Sequence, residues 1–297
     1  MRRYRVTHRT AYGYDDDVTD SYGVAYLTPR SLPWQEVRAA RVEVAPVPAD
    51  ARDDVDCYGN TTTWFQVTTP HRRLVIDAVS EVDVAELEHD AAALAMPWER
   101  ARPLVHPDLP DAWEVTDFAL PSGLAEPTRG AAAYGAQSLT RRRPLGEAVL
   151  DLMHRIHRDF EYDKTATTVT STVADTLEKR AGVCQDFAHL TLACLRAHGL
   201  AARYVSGYLA TDPPPGRERI VGADASHAWV AVWLPLSGGW LAIDPTNDQV
   251  AGERYVTLAW GRDYGDVPPV KGVIFTEATT STLRVSVDVA PLEVSAG

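Results

Sequence analysis

The chain has 297 residues, 45% hydrophobic and 24% charged, ordinary globular usage that excludes wholesale disorder. A formal net charge of −12 excludes the basic footprint of a nucleic-acid or anionic-membrane binder, so neither is expected as a partner. No stretch approaches the roughly 18 apolar residues that span a bilayer, and the basic start Met1-Arg2-Arg3 has no apolar run behind it; the expected location is the cytoplasm.

At roughly 150 residues per domain, the length anticipates two domains or one large one. Residues 1–85 read as a β-rich N-terminal domain. Alternation at 4–8, 37–44, 61–67 and 74–80, with the turn signal Tyr58-Gly59-Asn60, predicts an antiparallel sheet or sandwich. Residues 86–145 read as an irregular, partly helical connector. Residues 86–94 could form a helix, but prolines at 97, 103, 107, 110, 121 and 127 interrupt the chain beyond it, and Trp98, Trp113 and Phe118 are expected as docking anchors.

Residues 146–265 are the expected catalytic core. Apolar side chains at 149, 152, 153 and 156 predict an amphipathic helix over 146–158, and 176–180 a short helical turn. A third helix is predicted from near Gly182 to His198, stopped by Gly199. Strands are expected at 202–208, 227–234 and 240–244, with a Pro/Gly/charge-rich loop over 212–219. The last segment, 266–297, alternates at 283–289 and reads as a C-terminal strand segment.

Three cysteines make no disulfide framework. Cys184 and Cys194 share a predicted helix and lie about 15 Å apart, too far to bridge. Cys194 falls on the apolar stripe of that helix and reads as a small buried hydrophobe. Cys57, beside a turn, reads as structural. Cys184 sits in the first turn, where unpaired N–H groups and the helix dipole favour a thiolate.

The second chemical signal is a hairpin. Pairing Leu234 with Gly239 puts Val230, Val232, Leu234, Leu241 and Ile243 on one aliphatic face, with His227 and Asp244 as diagonal neighbours on the other. A one-residue slip would mix the aliphatic set and separate the acid from the imidazole, so the hydrophobic pattern selects the register that joins them. A thiol at a helix start, an imidazole and a carboxylate, in the order Cys184, His227, Asp244, are the parts of a thiol nucleophile system.

Three blocks carry a family resemblance: residues 180–190 around Gly182, Cys184, Gln185 and Asp186; 226–230 with His227 and Trp229; and Asp244-Pro245-Thr246-Asn247. They resemble the core of the bacterial transglutaminase-like family, within the papain-like cysteine-enzyme superfamily. Residues 8–14, 27–30, 56–60 and 259–269 are similar to the β-rich domain and flanking segment of its bacterial members. The resemblance implies an α+β fold, a Cys-bearing helix packed on an antiparallel sheet, preceded by a sandwich-like β-rich domain. It also implies Cys184 as nucleophile, His227 as general base and Asp244 as its orienter, acting on a protein or peptide substrate. Gln185 stands where animal transglutaminases carry Trp, and no calcium loop or zinc spacing is present, so no cofactor or metal is expected. Three functions are compatible with these residues: a cysteine protease or amidase, placed first because hydrolysis needs only water; a protein-glutamine transglutaminase; and a catalytically silent interaction scaffold.

For neighbouring residues the bland expectation leads. His189 is expected to pack on the helix face, and Asp186 to serve the helix dipole. Tyr162, Tyr204 and Tyr208 are expected as core aromatics, with cleft lining as the sharper alternative. Asp224 is expected as a solvated loop acid and the loop from Thr211 as a surface turn rather than a lid. Trp229 and Trp233 share the His227 face and are expected to wall the cleft.

Overall fold

A computed structural model describes residues 1–211, 226–236 and 239–292. The N-terminal region is built on one long strand, β1 (Arg2–Ala25), whose inward positions Tyr4, Val6, His8 and Thr10 alternate with exposed ones, as a half-buried strand requires. It is followed by β2 (Gln35–Ala45), β3 (Asp50–Val55), β4 (Thr61–Val67) and β5 (His71–Val84). Along one edge β1 pairs first with β5 and then, past an irregularity between Gly13 and Val18, with β4. Strands β2 and β3 extend the sheet outward from β5 and β4.

The connector contains α1 (Ala91–Ala95), a 3-10 turn at Trp98–Ala101, α2 (Ala112–Val115), a second 3-10 turn at Thr116–Ala119, and α3 (Arg129–Gly135). Trp98 and Phe118 are buried anchors as expected. Trp113 is not: it is 78% exposed on the two-sided short helix α2, where Ala112 and Val115 take the inward positions.

The core begins with α4 (Leu145–Asp159), which buries Leu145, Ala148, Val149, Leu152, Met153 and Ile156 along one face. The short strands β6 (Glu161–Tyr162) and β7 (Ala181–Gly182) pair in parallel on either side of α5 (Val173–Lys179), and α6 (Cys184–Ala197) comes directly after them. Next come β8 (Ala202–Leu209), β9 (Ser226–Leu234), β10 (Gly239–Asp244), β11 (Gln249–Val250) and β12 (Tyr255–Gly261), forming an antiparallel sheet in the order β11-β10-β9-β8-β12. Helix α6 packs on β9 and β8 and is buried from Asp186 to Arg196. Even its polar stripe faces protein: the Arg196 guanidinium donates to the carbonyls of Phe118, Ala202 and Arg262 and to the Ser122 hydroxyl.

The tail forms β13 (Val270–Thr276) and β14 (Ser281–Leu292), and both return to β1. They run along its second edge, so that β1 is flanked on both sides and the N-terminal region becomes one curled seven-stranded sheet among the described residues. Two buried side-chain amides join this sheet to β12. Gln35 donates to the Thr257 carbonyl and accepts from its N–H, both at 2.8 Å, and Asn60 makes the same reciprocal pair with Trp260. Asn60 is held by Asp56, which also accepts the N–H groups of Tyr58 and Asn60 and closes the turn. These primary amides satisfy backbone groups that an open sheet edge would leave bare.

Candidate active site

Cys184 is placed by what precedes it. Strand β7 delivers the chain in extended conformation to Val183, the N-cap, which has no side-chain acceptor to offer the helix. Asp186 supplies the missing half: its carboxylate, 2% exposed, accepts the Val183 N–H at 2.8 Å and the Thr167 hydroxyl at 2.6 Å. A Cβ on Gly182 would stand 2.8 Å from that carboxylate, so the close approach needs glycine. Asp186 is therefore a buried cap. Cys184 becomes the first helical residue, half-buried, with its N–H outside the intrahelical ladder and at the positive end of the dipole.

The hairpin adopts the register selected by its aliphatic face: Leu234 opposite Gly239, Trp233 opposite Trp240, Val232 opposite Leu241 and Val230 opposite Ile243. Those five aliphatic residues are all buried, in the same core cluster as Leu190 and Phe187 of α6. Beyond the paired stretch, His227 Nε2 lies 2.7 Å from Asp244 Oδ2. With Nε2 engaged, the other ring nitrogen is left for the Cys184 thiol, which lines the same cleft and acts on the charge of the ring. The three residues are brought together.

Asp244 is fully buried and accepts on both oxygens. The backbone N–H groups of Thr246 and Asn247 approach Oδ1 at 2.9 and 3.3 Å, while the Asn247 amide and the Tyr255 hydroxyl each donate to Oδ2 at 2.7 Å. Burial opposes ionisation of Asp244, but the hydrogen bonds and charge of His227, Asn247 and Tyr255 win and hold its carboxyl below the usual range. Burial likewise opposes the charged form of His227. The hydrogen bonds and charges of Asp244 and Cys184 outweigh it and push the imidazole up to about 10. The pair is built to hold imidazolium.

Cys184, His227, Tyr162, Leu209, Thr211, Ser226, Thr246 and Asn247 line a cleft of about 250 Å³. Tyr162 thus lines the site, while Tyr208 is buried behind it, bonded through its hydroxyl to His8 Nδ1 at 2.9 Å, and Tyr204 is buried against His189. Trp229 stacks beside His227, with centroids 6.1 Å apart, but it is buried behind the ring and does not line the cleft. Trp233 does not reach the cleft: it packs with Phe118, Ala201 and Val115, because it sits two side-chain repeats further along β9. His189 packs as expected, accepting the Tyr264 N–H, and burial pushes it down to about 4. Cys194 is buried, its thiol pushed up to about 12 by desolvation. Cys57 is exposed in its turn and takes no structural role in the core. Asp224 and the loop from 212 lie outside the described residues. Among those described, no group of three or more His, Cys, Asp or Glu is placed to hold a metal, and no helix is long and apolar enough to cross a membrane.

Tyr255 and Asn247 were not singled out by sequence reasoning. Asn247 carries a weak local signal, three residues past Asp244. Tyr255 carries none, since its approach to Asp244 depends on how β12 sits in the sheet.

The family description "Bacterial transglutaminase-like N-terminal region" matches residues 4–83, and "Transglutaminase-like superfamily" matches residues 133–245, which contain the thiol, ring and carboxyl just described. An uncharacterized protein of Mycobacterium tuberculosis H37Rv is 49% identical over 297 residues, covering 98% of this chain and 93% of that protein. The chain belongs to the bacterial transglutaminase-like family. A second relative within it, from Mycobacterium leprae, is 35% identical over 98% of this chain and 100% of its own length. A Pseudomonas aeruginosa protein named protein-glutamine gamma-glutamyltransferase is 41% identical over 101 residues, 33% of this chain and 15% of that protein. The transglutaminase-like fold with its N-terminal sheet is also that of a candidate cysteine protease from Cytophaga hutchinsonii, with a TM-score of 0.74, 19% identity, and coverage of 100% of this chain and 92% of that one.

Proposed function

We propose that this transglutaminase-like chain is a thiol-dependent acyl-transfer enzyme with Cys184 as nucleophile, His227 as acid–base and Asp244 as its orienter. The observation that carries the reading is the position of His227 between a helix-start thiol and a fully buried carboxylate. The Cys184 sulfur, its proton already resting on His227 as the imidazolium, attacks the carbonyl carbon of a peptide or carboxamide. The helix-start N–H of Cys184 stabilises the oxyanion. His227 returns the proton to the leaving amine, and the C–N bond breaks to leave a thioester. Water, deprotonated by His227, then releases an acid and restores the thiol.

Hydrolysis is the leading outcome because water needs only access to the cleft. Transfer to an amine is the second reading, supported by the local likeness to the Pseudomonas protein whose name is a glutamyltransferase. The two share the thioester and divide at the second nucleophile. The proposed substrate is a protein or peptide, and the proposed division of the chain is 1–85, 86–145, 146–265 and 266–297. A peptide library with a glutamine-containing subset, incubated with and without a fluorescent primary amine, tests the reading. Acid product that disappears in Cys184→Ala supports hydrolysis, and amine incorporation supports transfer. A folded protein that forms neither product, and whose Cys184 alkylates no faster than exposed Cys57, refutes the enzyme reading and returns the scaffold.

A further inference from the structure

Arg203 on β8 is a buried cation with no anion beside it. The residue is 6% exposed, its guanidinium lies 3.5 Å from the Trp260 ring and 4.1 Å from the Trp240 ring, and its Nε has no hydrogen-bond partner. The charged group that acts on it is another cation: Arg30 covers a Trp260 ring centroid at 3.5 Å. Arg30 is itself engaged, donating to the Tyr58 carbonyl and the Asn60 side chain. Among the described residues no carboxylate forms an ion pair with Arg203. A guanidinium keeps its proton in proteins, and two indole faces offset only part of the loss of water. Buried charges elsewhere in proteins are paired.

The same guanidinium lines a cavity with Trp34, Trp229, Trp240, Ala251 and Tyr255, between the N-terminal region and the face of the catalytic sheet that carries Trp229. Its volume is about 30 Å³, enough for a group of one or two water-sized atoms. Apart from Arg203, Tyr255 and Thr257 the lining side chains are aliphatic or tryptophan, so the one charged partner a ligand there would meet is a planar fork of N–H donors.

We propose that this cavity is a binding site for a small monovalent anion, a halide or a single carboxylate group, held by Arg203 between Trp240 and Trp260. The site is separate from the Cys184 cleft, although its walls Trp229 and Tyr255 also contact His227 and Asp244. The proposal does not depend on catalysis. Wild-type protein is titrated with sodium bromide or sodium formate at constant ionic strength balanced by gluconate, following tryptophan fluorescence. The expected result is a saturable change with at least one of the two anions, abolished in Arg203→Met. Formate displacing bromide assigns the site to carboxylates; bromide binding that formate leaves untouched assigns it to halides. Crystals of wild-type protein soaked in bromide give a second readout that needs no variant: an anomalous peak within hydrogen-bonding distance of the Arg203 guanidinium. No saturable response in wild type, an equal response in folded Arg203→Met, or anomalous peaks only elsewhere overturns the proposal.

Discussion

Replacing Asp244 with Asn isolates the role of the buried carboxylate while keeping its shape. Oδ1 receives two backbone N–H groups that cannot turn away, so the amide oxygen of the variant must stay there. The new NH₂ then meets the three groups that donate to Oδ2: His227 Nε2, the Asn247 amide and the Tyr255 hydroxyl. Tyr255 can rotate to accept. His227 can accept only by moving its proton to the nitrogen that faces Cys184, where it blocks transfer from the thiol. The ring also loses the charge that holds it at about 10, and burial drives it to 6.5 or below. At pH 7.5 the imidazolium fraction drops from above about 0.99 to about 0.1 or less. The rate of Cys184 alkylation by iodoacetamide at pH 7.5 should therefore fall at least about ten-fold, and peptide turnover with it. The assay is peptide mapping of labelled Cys184 over time, with circular dichroism to establish that the variant is folded. A folded Asp244→Asn protein that alkylates at the wild-type rate would show that the carboxylate does not govern the imidazole.

Gly207 on β8 leaves room for Trp229, the ring stacked on His227: a Cβ there would strike the Val256 carbonyl oxygen and stand 2.5 Å from the Trp229 ring. Gly207→Ala should lower stability by roughly 1–3 kcal/mol and slow Cys184 alkylation, read by chemical denaturation and the same labelling assay; unchanged values for both would refute the packing argument. In native protein iodoacetamide should modify Cys184 and exposed Cys57 but reach Cys194 only after unfolding, because that thiol is buried and pushed up to about 12; mass spectrometry counts the adducts, and early labelling of Cys194 contradicts its burial. Acid should destabilise the fold between pH 6.5 and about 4. His8 and His189 are each pushed down to about 4 by burial, so the unfolded chain binds their protons first. Their contribution is complete above 6.5 and is lost as pH falls, by up to about 3 kcal/mol each. His227 has the opposite sign: its contribution is intact below 6.5 and is lost as pH rises through about 10. Urea midpoints at pH 8, 6 and 4 check this, and a flat profile on the acid side would refute it.

The chemistry was legible wherever the controlling pattern is local. A continuous apolar helix beginning at a thiol predicts Cys184 at a helix start, and the aliphatic set of the hairpin admits only the register that joins His227 to Asp244. Alternation likewise announced the β-rich N-terminal region, although not that β1 would run unbroken over 24 residues. Trp113 and Trp233 show where such reasoning stops. Each was expected to dock or to wall the cleft because it is large and apolar, yet its destination depends on what another element presents to it.

The helix-start cysteine, the hairpin register and hence the acid–imidazole pair are consequences of the amino-acid order alone, because burial of one face within a single element leaves few alternatives. Other features needed the folded chain: Tyr255 completes the shell around Asp244, Gln35 and Asn60 tie the N-terminal sheet to β12, the tail returns to flank β1, and Arg203 lies between two tryptophans. Each of these joins residues distant in the chain. Side-chain periodicity reports which face of an element is buried and not which remote element covers it, so the closing partners of a site appear only once the chain has folded.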